Sequence, residues 1–302
     1  MISRRLILGA GGSFIALSAC GKSTEVSKSA AVSSGRSIEK VGLQTYTLRE
    51  AMKADFIGTF QMIKDIGYDY VEINERNYES HSATDLRAIL DDVGLPSPAS
   101  HVGYNSITTE IPLTIERAKI MGCEYMILPY IGEDQRTLAD WKAHAQTFNQ
   151  AGKQLSDAGV KFAYHNHQFE FDDLGGGTTA MEVLMNETSP DLVDFELDFF
   201  WANLASQDVP ALINRYPGRF TLCHIKDMKG DPKAALARGD SYETITNTIM
   251  VDVGTGTTPF TDYFTLNDIS GMKYFIAEHD SPKAPYDQAV KTSLDNIRAM
   301  RF

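Results

Sequence analysis

The stretch KFAYHNHQFEF, Lys161 to Phe171, starts as a buried strand and then places two histidines, an asparagine, a glutamine and a glutamate within six positions. A lone histidine at such a point ordinarily hydrogen-bonds to nearby backbone and does nothing more. That reading weakens if other strands of the same chain end in the same way.

From Val41 onward, short apolar runs alternate with amphipathic stretches, the pattern of βα units on a parallel sheet. Eight strands are expected: VGLQTYT (41–47), YDYVEIN (68–74), PSPASHV (96–102), CEYMILPY (123–130), VKFAYHNH (160–167), VDFELDFF (193–200), FTLCHIKD (220–227) and MKYFIAEHD (272–280). Helical periodicity lies between them, in DFIGTFQMIKDIG, SATDLRAILDDVG, TIERAKIMG, TLADWKAHAQTFNQAGKQLSDAG and TTAMEVLMNE, and several of these end in the glycine expected of a helix C-cap. Eight units in about 260 residues predict an α/β fold, a single (β/α)8 barrel over 41–302, whose active site is built at the C-terminal ends of the strands. A doubly wound sheet calls for a glycine-rich turn after the first strand, and LQTYTLREAMK has none.

The strand ends carry the chemistry. Strand 5 offers His165 and His167, strand 6 Asp198, strand 7 His224, strand 8 Glu278 with His279, and strands 2 and 3 add Glu72 and His101. One donor from each of strands 5 to 8, His165, Asp198, His224 and Glu278, makes an octahedral site with open positions, His167 being the alternative on strand 5. Mixed nitrogen and oxygen donors suit one Mn2+, Co2+, Fe2+ or Zn2+ ion, whereas Ca2+ takes more oxygens. Tyr46, Glu72 and His101 are candidates for substrate hydroxyls, and Asn166, Gln168 and Glu170 for orienting the histidines. Trp201 reads either as a platform for the apolar face of a sugar or as a core aromatic at a helix start. Lys226 and Asp227 read as a solvated ion pair or, at a barrel mouth, as an ammonium able to hold an oxyanion or give up a proton. The segment 228–260 is long for a βα connection and is expected to cover the site or to move. Its glycines in VDVGTG lack the following lysine of a phosphate loop, so no nucleotide is assigned.

Residues 1–20, MISRRLILGAGGSFIALSAC, have a basic start, an apolar run and small residues before Cys20, as an export signal does. SRRLIL resembles a twin-arginine signature and LSAC a bacterial lipobox, so the expected protein is exported to the periplasmic side and meets the membrane only through a lipidated Cys20. The apolar run falls well short of the roughly 20 residues of a membrane span. Residues 21–40 are rich in Ser, Ala and Lys and read as a flexible tether. Without residues 1–19 the chain keeps 26 basic against 40 acidic residues, a net charge of −14 that argues against a nucleic-acid partner. Cys123 and Cys223 form no CxxC pattern and are expected to be small buried hydrophobes.

GVKFAYHNH, FELDFFWA, CHIKD and YFIAEHD together resemble the metal-bearing strand ends of the xylose-isomerase-like barrels, the sugar phosphate isomerase/epimerase group that includes inosose dehydratases, ketose 3-epimerases and apurinic endonucleases. The resemblance runs from Val41 to the end of the chain. In the epimerases it implies one metal held by Glu, Asp, His and Glu on strands 5 to 8; the last three map to Asp198, His224 and Glu278, while His165 stands where those enzymes carry the first glutamate. Because that glutamate and the strand-8 glutamate move the proton in epimerases, a histidine argues against simple epimerisation and leaves metal binding intact. Trp201 stands where many relatives carry a further histidine, which argues against a multinuclear zinc site, and Lys226 is the cation nearest the position of their arginine. The implied chemistry is removal of a proton beside a sugar carbonyl, with His167, Lys226 and Glu278 as acid/base groups and an isomerase, epimerase or lyase outcome. An exported protein implies a neutral sugar, a keto-glycoside or a cyclitol as its small carbohydrate substrate. The alternative from another class is a lipid-anchored carbohydrate-binding barrel without catalysis.

Overall fold

The structure, a computed structural model, describes residues 35–302. The expected export signal, Cys20 and most of the tether lie outside the described residues. Within them the eight strands close into a parallel barrel: β1 (Gly42–Gln44), β2 (Tyr70–Ile73), β3 (Ala99–His101), β4 (Tyr125–Leu128), β5 (Lys161–His165), β6 (Val193–Asp198), β7 (Phe220–Ile225) and β8 (Tyr274–Ala277), with β8 pairing back onto β1. Each lies inside the stretch read from the apolar pattern, so the (β/α)8 expectation holds. Just before β1, Arg36 and Phe302 exchange backbone hydrogen bonds at 3.0 and 3.1 Å, and Ile38 is buried.

The principal outer helices are α1 (Phe56–Ile66), α2 (Ala83–Val93), α3 (Ile111–Met121), α4 (Leu138–Asp157), α5 (Ala180–Glu187), α6 (Val209–Arg215), α7 (Phe260–Phe264) and α8 (Tyr286–Ala299). Their boundaries follow local chemistry. Thr137 with Asp140 and Thr179 with Glu182 form capping boxes at the starts of α4 and α5, and Gly67, Gly94 and Gly122 close α1, α2 and α3 with positive φ. Helix α4 buries Trp141, Ala145, Phe148 and Leu155 along one face against the barrel, each large side chain worth about 1.5–3 kcal/mol when fully buried.

A second, smaller core fills the barrel itself: Tyr70, Ala99, Tyr125, Ile127, Ala163, Leu222 and Ile276. Tyr70 reaches so far across that a Cβ at Gly42 would lie 2.2 Å from its ring, which is why β1 starts on glycine. The segment after β7, expected to cover the site or to move, is built from a short antiparallel ribbon, Asp227–Met228 with Met250–Val251, and two short helices, Pro232–Arg238 and Tyr242–Thr248, the second of which brings Tyr242 to the cavity wall.

Candidate metal centre and active site

Side chains alternate across a strand with period two, so the residues two positions beyond the apolar plug also point into the barrel. Tyr70, Ala99, Ala163, Leu222 and Ile276 thereby place Glu72, His101, His165, His224 and Glu278 one tier higher. On β6 a register shift between Phe195 and Glu196 sets Glu196 opposite Leu222 and Asp198 opposite His224. Glu196 escaped the reading of strand ends although the signal was present: it stands two residues before Asp198 and so shares its face. Gln44, two past Gly42, escaped it for the same reason.

The lower tier is a buried network of two carboxylates and three imidazoles. Glu72 Oε2 accepts a hydrogen bond from Gln44 Nε2 at 2.6 Å and lies 2.7 Å from His224 Nε2 and 3.1 Å from His101 Nε2. Glu196 Oε2 lies 2.9 Å from His101 Nε2, 2.9 Å from His165 Nδ1 and 3.2 Å from His224 Nε2. Burial opposes a charged His101, but the Glu72 and Glu196 carboxylates outweigh it and push its pKa up to about 10. Burial likewise disfavours the Glu196 carboxylate, yet His224 and His101 hold it down at about 2.

The upper tier contains Asp198, Glu278, Lys226 and Asp280. His224 Nδ1 lies 2.7 Å from Glu278 Oε2 and 4.0 Å from Asp198 Oδ2, and His165 Nε2 lies 3.6 Å from the same Asp198 oxygen. Asp198 is fixed by its surroundings. It caps the helix Phe199–Leu204, its Oδ1 accepting the Trp201 N–H at 3.1 Å, while Asn166 holds its backbone N–H at 3.0 Å. Asn166, expected to orient the histidines, holds the aspartate's backbone and also donates to the His167 carbonyl at 3.3 Å.

Two sets of donor atoms are close enough to share one ion: Asp198, His224 and Glu278, and beneath them His101, His165, Glu196 and His224. Three of the four expected ligands meet in the first set, and His165 belongs to the second, adjoining it through Asp198. The buried Asp198 Oδ2 makes no hydrogen bond, although Lys226 Nζ lies 3.0 Å away. A carboxylate oxygen beside an imidazole nitrogen and a second carboxylate is a donor set that fits a divalent transition metal.

Above these tiers opens a cavity of about 340 Å³, with His101, His165, His167, Lys226 and Glu278 on its wall and Tyr46, Arg76, Tyr130 and Tyr242 among the residues that complete it. Two expected substrate contacts are elsewhere. Glu72 is buried beneath His101 and His224, and Trp201 is buried with its ring stacked between His167, at 5.2 Å, and Tyr242, at 5.6 Å. Tyr242 takes the outer face that Trp201 was expected to present; it is 47% exposed. His167 lines the cavity, and its Nδ1 has no hydrogen-bond partner. Behind it, Glu170 accepts hydrogen bonds from the Tyr164 hydroxyl and, at 2.8 Å, from the His167 N–H.

Lys226 and Asp227 are not a solvated pair. Both are buried and they face opposite ways: Lys226 turns to Asp198, Glu278 and Asp280, whereas Asp227 accepts the backbone N–H groups of Met228, Gly254, Gly256 and Thr258 at 2.8, 2.9, 2.9 and 3.1 Å. The glycine turn's amides are therefore spent on an internal carboxylate. Cys123 and Cys223 are buried, as expected of small hydrophobes.

The chain resembles known proteins in sequence and in fold. It is 26% identical to inosose dehydratase 2 of Bacillus cereus over 162 residues, 51% of this chain and 53% of that protein, so it spans about half the length of the curated relatives it matches. Among solved structures, a sugar phosphate isomerase/epimerase from Parabacteroides distasonis ATCC 8503 is 26% identical and superposes with a TM-score of 0.70, covering 89% of this chain and 96% of that one. The IOLI protein, solved with a zinc atom bound, shares the fold at 18% identity with a TM-score of 0.66, covering 85% of this chain and 96% of that one. Residues 60–300 match the model of the xylose isomerase-like TIM barrels. With that match over most of its length, and with its acid, amide and imidazole side chains gathered at the C-terminal mouth of a closed eight-stranded barrel, the chain belongs to the xylose isomerase-like TIM barrel family.

Proposed function

We propose that this protein is a divalent-metal-dependent enzyme that removes a proton beside the carbonyl of a small, non-phosphorylated carbohydrate or cyclitol. The observation that carries the proposal is the convergence of Asp198, His224 and Glu278 on common donor positions, with Glu278 reaching a cavity whose wall also carries His165, His167 and Lys226. The similarity to an inosose dehydratase and to a sugar phosphate isomerase/epimerase supports a sugar or cyclitol as substrate. Engagement of the glycine-turn amides by Asp227 supports a substrate without phosphate, because those amides are the ordinary cradle for one.

Asp198, His224 and Glu278, with His165 beside them, would hold a divalent ion, which would supply Lewis acidity to polarise a carbonyl and acidify the C–H next to it. We assign His167 the role of base: its imidazole lines the cavity, its buried Nδ1 has no hydrogen-bond partner, and its backbone N–H is held by Glu170. We assign Lys226, whose side chain lines the same cavity, the role of proton donor. Tyr46 and Tyr242 line the cavity and are the aromatic side chains we assign to the rest of the sugar.

The test is exchange of carbon-bound protons in D2O, followed by NMR for metal-reconstituted protein with a panel of ketoses, keto-glycosides and inososes. Metal-dependent exchange is expected for at least one of them, slowed by about 100-fold or more in His167→Asn or Lys226→Met. A ligand bound tightly with no exchange would mark the barrel as a binding protein.

A further inference from the structure

The Lys226 ammonium is buried among three carboxylates, 3.0 Å from Asp198 Oδ2, 2.6 Å from Glu278 Oε2 and 2.9 Å from Asp280 Oδ1. The first two oxygens are the same atoms that face His224 Nδ1, at 4.0 and 2.7 Å. An ion held by Asp198, His224 and Glu278 would compete with the ammonium for those carboxylates, and two cations at such range repel each other strongly in a buried site. Asp280 belongs to neither donor set, and its other oxygen accepts the Tyr242 hydroxyl at 2.7 Å. It is a partner that the ammonium keeps when the other two are taken.

We propose that Lys226 is the resident counter-cation of this centre, and that a divalent ion binds by displacing its ammonium from Asp198 and Glu278 onto Asp280 alone. The inference rests on the metal-dependent reading above and adds what the chain itself gives up when the ion arrives. It explains how Asp198 and Glu278, both buried, are tolerated in the ion-free chain, where unpaired carboxylates are costly. It also ties the ion to the rim, since Asp280 holds Tyr242, Tyr242 stacks on Trp201, and Lys226 Nζ lies 5.6 Å from the centre of the Trp201 ring.

The experiment uses the full chain stripped with a chelator and titrated with Zn2+, a spectroscopically silent ion, by calorimetry and tryptophan fluorescence. Lys226→Met is expected to bind Zn2+ tighter by about ten-fold or more and to unfold at a lower temperature than wild type when ion-free, with the difference reduced on saturation. Asp280→Asn, which alters no proposed ligand, is expected to weaken Zn2+ binding in the wild-type background and to have no such effect beside Lys226→Met. Tryptophan emission should change with Zn2+ in wild type and change much less in Lys226→Met. If wild type binds Zn2+ but neither Lys226→Met tightens nor Asp280→Asn weakens it, the displacement is wrong and the metal reading stands. If wild type binds no divalent ion, both fall. Should Lys226→Met not fold without the ion, the Asp280→Asn titration decides alone.

Discussion

Asn166 holds both backbone polar groups of Asp198, its Oδ1 accepting the Asp198 N–H at 3.0 Å and its Nδ2 donating to the Asp198 carbonyl at 3.4 Å. The amide thereby locks the end of β5 to the point where β6 turns into a helix, and so aims the carboxylate. Asn166→Ala leaves a buried N–H without an acceptor and should cost about 1–3 kcal/mol in thermal or urea unfolding. It should also weaken divalent-ion binding about 10- to 100-fold, the usual effect of losing a group that orients a ligand. Unchanged Zn2+ affinity in this variant would show that the Asp198 orientation is set elsewhere.

The two donor sets share His224 and predict different losses. With the ion in the upper set, Asp198→Asn and Glu278→Gln should lose most bound metal in elemental analysis while circular dichroism stays that of the barrel. Glu196→Gln should keep most of it. The reverse order would move the ion into the lower tier.

Asp227 gathers four backbone N–H groups from its own strand end and the glycine turn. Asp227→Ala removes every one of these acceptors at once and is expected to cost about 2–4 kcal/mol. Hydrogen exchange should quicken locally at Gly254, Gly256 and Thr258. At Gly256 a Cβ would stand 2.4 Å from Asp227 Oδ1 and 2.3 Å from the Met228 carbonyl oxygen, so Gly256→Ala should show the same exchange signature.

Burial raises the Glu170 carboxyl from 4.5 to about 7, against the hydrogen bonds from Tyr164 and the His167 backbone. Between those values the folded chain keeps a proton that the unfolded chain has released, so this group's contribution to stability falls as pH rises from about 4.5 to about 7. Glu170→Gln removes that dependence. Its unfolding temperature relative to wild type should therefore improve steadily across that window, and a difference that stays flat with pH would contradict the burial argument.

The barrel and its mouth were legible in the sequence because both follow from local rules. Eight apolar runs separated by capped amphipathic helices leave a parallel barrel as the economical fold, and the last residues of those runs, His165, Asp198, His224 and Glu278, must then meet at one end. What the local pattern could not supply is how those side chains share one another. Glu72 and His224 stand 152 residues apart and lie 2.7 Å from each other, an approach set by strand register around the closed sheet and by the shift at Phe195 and Glu196. The same closure turned Lys226 inward to three carboxylates and Asp227 outward to the glycine turn, although the two are neighbours in sequence. It also buried Trp201 and left Tyr242 facing the cavity. Alternation along a strand tells which face a residue is on, but only packing across the barrel decides which oxygen meets which nitrogen, because that depends on residues brought together from other strands.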